Sequence, residues 1–278
     1  MKSATKHRAL WLLMLAVVAT GLAASLAWAQ STSSSSDPMA EYNQMFGDDN
    51  PAVFWITRGK GLWQDARGPN KVSLAKTCDL GMGVGVVKGA YAHLPRYFAD
   101  TGKVQDLETR LLTCMTSKQG FKRADILKHK YGNDNNKSDL EALSAYIVDA
   151  SKGMPISLPM KHPQEQRAYE IGKAIFYYHA GPHDFACSSC HGQPGKRIRL
   201  GMLPDLATSK GAQEAYTTWP AYRVSEGEVR TMEWRLHSCV RQQRLPELKF
   251  GSGAAIDLIM FLAKNAEGGK MNAPGLKR

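Results

Sequence analysis

The sequence has few cysteines and, after its first 29 residues, no apolar run as long as a membrane-spanning helix. Its five cysteines include one C-x-x-C, with no second C-x-x-C and no spaced histidine pair to complete a zinc site. No alternating strand run or βαβ pattern is present, which disfavours a thioredoxin-like redox pair. A composition of 43% hydrophobic and 22% charged residues is that of an ordinary globular protein.

Residues 1–29 are predicted to be a secretory leader. A positively charged start precedes an uncharged apolar stretch, and Ala27-Trp28-Ala29 provides a small-x-small cleavage site. An uncleaved membrane anchor is the alternative, but the Ala-x-Ala pattern and the serine-rich segment that follows favour cleavage. We therefore expect an exported, periplasmic protein with no membrane attachment after leader removal and a polar, mobile lead-in at 30–50.

The charge balance is basic, at +11 for the whole chain. The leader holds three of the 36 basic residues, so the mature chain keeps 33 basic and 25 acidic residues, a net charge of +8. This balance suggests anionic partners without identifying them. Nucleic acid is disfavoured as a partner by the export signal.

Cys187-Ser188-Ser189-Cys190-His191 is the attachment sequence of c-type haem. Two thiols one helical turn apart can add to the two vinyl groups of the porphyrin. The following histidine then lies below the iron as its proximal ligand. We therefore predict one covalently attached haem c, held by Cys187, Cys190 and His191.

The chain repeats itself at an offset of 125 residues. Tyr91–Met115 and Tyr216–Val240 align without a gap and share nine of 25 residues. Residues 138–153 and 253–268 form a second match, each an amphipathic helix that ends in glycine. The repeat predicts a haem-less domain at 51–156 and a haem-binding domain at 157–278, split near 154–163, where Met154-Pro155 and His162-Pro163 mark a linker.

The fold class that we predict is all-α, with two tandem cytochrome c-like helical domains of which only the C-terminal one carries haem. Further helices are expected at 104–115, 164–178, 229–241 and 254–264, and no strands. Cys78 stands alone at the end of the first copy that corresponds to the haem motif. Because Cys78 and Cys114 fall in the same copy, a disulfide is their natural pairing.

Cys239 is left unpaired in the haem-bearing copy, and its role is open on these grounds. It could ligate the iron as a thiolate, form a disulfide with a partner, or pack as an inert thiol. A methionine is the usual ligand opposite the histidine, and Met202, Met232 and Met260 are available. In that case the chain would be a non-enzymatic His/Met electron-transfer cytochrome.

The segment Arg235–Leu248, RLHSCVRQQRLPEL, resembles the SoxA family, the catalytic subunits of periplasmic cytochrome complexes that begin thiosulfate oxidation. The resemblance extends in order over residues 48 to 265. The other matching stretches are Asn50-Pro51, Leu62-Trp63, Arg67–Pro69, Cys78–Gly81, Gly89–Tyr91 and Leu94–Phe98. Because the first C-x-x-C-H is missing, the chain is similar to the single-haem members, which have a disulfide there.

The resemblance implies a function and a set of partners. Cys239 would ligate the iron and carry sulfur as a persulfide, and Arg235 would bind the substrate anion. The enzyme would be an L-cysteine S-thiosulfotransferase, which joins the outer sulfur of thiosulfate to a cysteine of the carrier protein SoxYZ and releases two electrons. A SoxX-like cytochrome subunit would form a heterodimer with this chain and take the electrons.

Arg235 also has a purely structural interpretation. It lies four residues before Cys239 and hence on the same helix face, where a guanidinium would favour a thiolate. Arg110 occupies the same place before Cys114, where no catalysis is expected. Weaker candidates for an electropositive rim or a docking surface are Arg241, Arg244 and the run Lys196–Arg199. His179, His183 and His237 are expected to be surface or hydrogen-bonded residues rather than ligands.

Overall fold

The computed structural model describes residues 50–133, 135–198 and 201–277, which belong to one compact unit. The predicted leader, and the lead-in as far as residue 49, lie outside the described residues. Within the described ranges, no helix combines the length and the apolar character needed to cross a membrane.

Ten α-helices, one 3₁₀ helix (Tyr91–His93) and seven short strands follow one another in the described part of the chain. The helices are α1 (Ala52–Gln64), α2 (Leu74–Thr77), α3 (Leu107–Ser117), α4 (Arg123–Lys128), α5 (Asp139–Asp149), α6 (Pro163–Tyr177), α7 (Cys187–His191), α8 (Ser209–Tyr216), α9 (Met232–Gln242) and α10 (Gly253–Asn265). The strands are β1 (Arg96–Phe98), β2 (Lys103–Gln105), β3 (Arg197–Ile198), β4 (Gly201–Met202), β5 (Ala221–Arg223), β6 (Glu228–Arg230) and β7 (Gly275–Lys277).

The helix-rich class is confirmed, and short strands that the sequence did not reveal accompany the helices. Three antiparallel pairs form: β1 with β2, β3 with β4, and β5 with β6. Strand β7 lies parallel to β5 on its other side. Two or three residues per strand are too few for an alternating pattern to emerge.

The predicted starts of two helices are wrong for the same reason. Positions 104 and 229 lie in β2 and β6, and helices α3 and α9 begin only after a capping residue. The Asp106 side chain accepts a hydrogen bond from the backbone N–H of Thr109 at 2.9 Å, and Thr231 caps α9 in the same way. The capping residue fixes each helix start because it satisfies an N–H group that has no partner within the helix.

The structure reproduces the internal repeat element by element. At an offset of 125 residues, β1, β2 and α3 correspond to β5, β6 and α9. Helices α1 and α2 correspond to α6 and α7 at an offset of 113, and α5 corresponds to α10 at an offset of 115. We call residues 52–149 the first repeat and residues 163–265 the second repeat.

A glycine sets the same helix crossing in both repeats. A Cβ atom on Gly59 of α1 would lie 2.0 Å from the carbonyl oxygen of Ala142 on α5. A Cβ atom on Gly172 of α6 would lie 1.9 Å from the carbonyl oxygen of Asp257 on α10. Because both obstructing atoms are backbone, no rotamer change can make room. The two helices of each repeat therefore pack backbone to backbone.

The two repeats meet across equivalent residues and share one continuous apolar core. The rings of Tyr91 and Tyr216, which are equivalent, stack with their centroids 6.2 Å apart. Near them, the equivalent carboxyl groups of Glu108 and Glu233 are buried. Burial, followed by the charge of Asp106, raises the pKa of Glu108 to about 8. Contact between equivalent residues indicates a pseudo-twofold axis between the repeats.

Gly172→Ala should destabilise the protein because the new methyl group meets the carbonyl oxygen of Asp257. The expected loss is about 1–3 kcal/mol of unfolding free energy, as for other overpacked sites. Thermal or denaturant unfolding of the purified holoprotein measures it. Gly253→Ala is the matched control, since a Cβ atom there meets nothing within 4 Å. Equal stability of the two variants would contradict the backbone-to-backbone crossing.

Candidate haem and thiolate site

Helix α7 presents the predicted haem-attachment residues on a single turn. The Ser189 hydroxyl accepts a hydrogen bond from the backbone N–H of Ala186 at 2.9 Å, which fixes the start of the helix. Cys187 and Cys190 are free thiols that are neither fully buried nor fully exposed. Burial raises the pKa of the Cys187 thiol, and the charges of Cys239 and Cys190 raise it further. The three thiols therefore lie near one another.

His191 is held in one tautomer and one orientation. Its Nδ1 lies 2.9 Å from the carbonyl oxygen of Pro204, which can only accept a hydrogen bond, so the proton resides on Nδ1. The backbone carbonyl of His191 also accepts from the N–H of Leu206 at 2.8 Å. Burial lowers the pKa of His191, and the charge of Arg235 lowers it further. The imidazole is therefore neutral, with Nε2 as a lone-pair donor. Pro204 is a site residue that sequence reasoning missed, because a backbone carbonyl leaves no side-chain signature.

Cys239 lies on α9 and is directed toward the haem motif. Burial raises the pKa of the Cys239 thiol; the nearby Arg235 guanidinium lowers it, and the charge of Cys190 raises it. Arg235 affects both Cys239 and His191, so the structure brings these three residues together with the two attachment cysteines. An imidazole nitrogen and a thiolate sulfur are both ligands that haem iron accepts.

The first repeat contains a disulfide between Cys78 and Cys114, the predicted pair. Cys114 is equivalent to Cys239 at the offset of 125. Earlier in the chain the two repeats align at an offset of 113 instead. At that offset the β-bridge between Arg67 and Val72 corresponds to the β-bridge between Ala180 and Phe185, and Gly59 corresponds to Gly172. At this offset Cys78 stands at the position of His191. The disulfide therefore joins the two positions that hold His191 and Cys239 in the second repeat.

Arg110 and Arg235 are equivalent residues in very different surroundings. The Arg110 guanidinium donates to the carbonyl oxygen of Asp79 at 2.6 Å and to the carboxylate of Asp100 at 2.9 Å. It also lies 4.0 Å above the centroid of the Phe98 ring. For Arg235 the described part of the chain provides no side-chain hydrogen bond and no ion pair. The structural interpretation of this arginine therefore fits Arg110 and does not transfer to Arg235.

The three methionines that could serve as alternative iron ligands differ in burial. Met232 and Met260 are buried in the apolar core, and Met202 is 61% exposed on β4. Other large apolar side chains are also exposed on segments that flank the motif, as a porphyrin edge requires. They are Tyr177, Tyr178, Phe185 and Ile198.

The remaining sequence candidates lie at or near the surface. Lys196, Arg197, Arg241 and Arg244 are exposed, and Arg199 lies outside the described residues.

His179 and His183 lie at the surface, as expected, whereas His237 is partly buried. His179 Nδ1 hydrogen bonds to the carbonyl oxygen of Asp184 at 2.7 Å. His183 is exposed, with its ring beside Phe185. His237 packs near Tyr131.

These features define a c-type cytochrome built on a repeated helical unit. A family model described as "SoxA/TsdA, cytochrome c domain" matches residues 58–156 and 171–271. The chain belongs to this SoxA/TsdA family, and it therefore carries covalently attached haem c.

Curated relatives match along nearly the whole chain. An L-cysteine S-thiosulfotransferase subunit SoxA from Hydrogenophilus thermoluteolus is 44% identical over 266 residues, which are 96% of this chain and 97% of the relative. A SoxA subunit from Hydrogenobacter thermophilus is 30% identical over 98% of this chain and 100% of its own length. Among solved structures, the crystal structure of SoxXA from P. pantotrophus has a TM-score of 0.67 and 25% identity, covering 83% of this chain and 80% of that chain.

Arg110→Gln and Arg235→Gln should differ sharply in stability. Removing the Arg110 guanidinium breaks its hydrogen bonds to the Asp79 carbonyl, the Asp100 carboxylate and the buried Gln105 amide, so we expect a loss of about 1–3 kcal/mol of unfolding free energy. Arg235→Gln breaks no hydrogen bond or ion pair within the described residues, and we expect a change within about 0.5 kcal/mol. Parallel denaturant titrations of the two purified holoproteins check this. An equal loss in both would make Arg235 a structural residue.

Proposed function

We propose that this chain is the cytochrome subunit of an L-cysteine S-thiosulfotransferase, and that His191 and Cys239 are the residues that would hold the haem iron. The Cys78–Cys114 disulfide supports the choice of these two residues. Two bonded sulfur atoms require that their positions face each other, so the equivalent His191 and Cys239 face each other in the second repeat. Full-length similarity to subunits of that named activity supports the reaction.

The reaction joins the outer sulfur of thiosulfate to a cysteine of a SoxYZ-like carrier protein. One S–S bond forms, the carrier thiol loses its proton, and two electrons leave. Haem c supplies, when bound, an iron centre that accepts electrons. The Pro204 carbonyl keeps the imidazole proton of His191 on Nδ1, so Nε2 remains available as a ligand.

Cys239 is the sulfur-bearing residue of this proposal. It is partly buried, which disfavours a thiolate, and the Arg235 guanidinium offsets that cost. A guanidinium also offers paired hydrogen bonds to a sulfur oxyanion. Arg235 therefore has two roles, stabilising the anionic form of Cys239 and binding thiosulfate beside it.

The partner subunit is a SoxX-like cytochrome that forms a heterodimer with this chain and takes the electrons. The similarity to the SoxXA crystal structure supports this assembly. We assign the reaction to the periplasm, on the basis of the leader at residues 1–29 and the family. The two stretches matched by the family model, 58–156 and 171–271, support a division into a haem-less domain at 51–156 and a haem-binding domain at 157–278.

Cys239→Ala should abolish sulfur transfer, because the sulfur-bearing group is removed. Arg235→Gln should lower kcat/KM by on the order of 100-fold, the cost of losing one donor to a developing or bound oxyanion. The assay measures thiosulfate-dependent electron release from the reconstituted heterodimer with the carrier protein. Met202→Leu is the control, and it should leave the rate unchanged.

Peptide mass spectrometry without reductant tests the same proposal on the native protein. The expected result is one additional sulfur atom on Cys239, with haem on Cys187 and Cys190. Full activity of Cys239→Ala would contradict the proposal. A Cys239 disulfide with another cysteine would also contradict it.

A further inference from the structure

A second arginine lies beside Arg235. Arg223, the last residue of β5, is equivalent to Phe98 at the offset of 125. In the first repeat the guanidinium of Arg110 lies 4.0 Å from the centroid of the Phe98 ring, so these two positions are in direct contact. By the same geometry, Arg223 adjoins Arg235. Arg235 is the charge that most strongly lowers the pKa of Arg223, after burial itself.

The second repeat lacks the acid that balances the arginine in the first. Asp100, which binds Arg110 at 2.9 Å, has the exposed Ser225 as its equivalent. Phe98 has become Arg223, which adds a positive charge. At the same offset Thr101 becomes Glu226 and Gln105 becomes Arg230, and these two new charges pair with each other. The carboxylate that binds Arg110 directly therefore has no equivalent beside Arg235, where Arg223 adds a guanidinium.

The nearby carboxylate of Glu226 is already bound. Its Oε2 accepts from Nε of Arg230 at 2.7 Å, while Arg230 also donates to Glu141 at 3.0 Å. The Nε of Arg223, by contrast, is buried and has no hydrogen-bond partner among the described residues. The centroid of the Trp234 ring lies 5.9 Å from Cζ of Arg223 and 5.2 Å from Cζ of Arg230. Arg230 is therefore paired with two carboxylates, whereas Arg223 feels the charge of Glu226 but forms no ion pair with it among the described residues.

We propose that Arg223 and Arg235 together form an anion-binding pair that takes the sulfonate oxygens of thiosulfate. Two adjacent guanidinium groups that form no ion pair with a carboxylate of the described residues repel each other, and a doubly charged oxyanion relieves this repulsion. Arg235 is one helical turn from Cys239 on the same face of α9, so an anion held by the pair lies next to that sulfur. The substrate assignment rests on the function proposed above, and Arg223 is its second specificity-determining residue.

Two variants test the pair from opposite directions. Arg223→Gln removes one guanidinium. Ser225→Asp leaves both arginines intact and restores the carboxylate that the first repeat has at Asp100. Each should weaken thiosulfate binding by roughly 10-fold or more, the usual scale for a hydrogen bond to a charged group. Isothermal titration of the purified holoprotein with sodium thiosulfate, in the absence of carrier protein, measures the dissociation constant.

Arg123→Gln is the charge-matched control. It changes the net charge by the same amount at an exposed position in the first repeat and should leave the dissociation constant unchanged. Arg223→Lys, which keeps the charge but not the planar fork, should bind with intermediate affinity. In turnover assays, Arg223→Gln should raise KM for thiosulfate far more than it lowers kcat.

An unchanged dissociation constant in either folded variant would overturn the inference, as would equal weakening in Arg123→Gln. If Arg223→Gln does not fold, Ser225→Asp decides alone. The titration needs no sulfur transfer, so it is independent of the proposed reaction. Arginine-dependent binding without transfer to the carrier would contradict the proposed function and support the pair. Normal sulfur transfer to the carrier, with an unchanged dissociation constant for thiosulfate in the variants, would contradict the arginine pair and support the proposed function.

Discussion

The close crossing of two helices in each repeat is the constraint on which the rest of the structure depends. At Gly59 and Gly172 the backbone of one helix touches the backbone of the other, and no side chain can intervene. This contact fixes where the chain emerges from α1 and α6, and hence where α2 and α7 are placed against α3 and α9. Cys78 and Cys114 in one repeat, and His191 and Cys239 in the other, are brought to equivalent positions by the same framework.

One framework thus serves two chemical purposes. In the first repeat a covalent bond closes the gap between the two key positions, and Asp100 neutralises the arginine on the neighbouring helix. In the second repeat the same positions present an imidazole and a thiol, and the carboxylate is replaced by Ser225. A neutralised arginine stabilises the fold, whereas an unneutralised one can bind an anion and favour a thiolate. The first repeat is structural and the second functional because of a few side-chain differences, such as Cys78 against His191 and Asp100 against Ser225.

The sequence predicted those parts of the site whose spacing is set by chemistry. Haem attachment requires a fixed interval between the two cysteines and the histidine of C-x-x-C-H. The repeat around Cys114 and Cys239 preserves the residues that form one β-hairpin and one capped helix. The hairpins themselves were missed because three-residue strands carry no periodic signal. Helix α1 was missed because it contains two glycines and no side-chain cap. The equivalence of Cys78 and His191 was missed because two offsets, 125 and 113, apply on either side of a change in loop length.

The most direct test of the account is electron paramagnetic resonance of the ferric holoprotein, compared with its Cys239→Met variant. Thiolate coordination of low-spin ferric haem gives a narrow spread of g values, because the anionic sulfur donates strongly to the iron. We predict this narrow spread of g values in the wild type. In Cys239→Met we predict the broader spread of g values that a His/Met haem gives. A His/Met signal in the wild type, unchanged by the substitution, would contradict it.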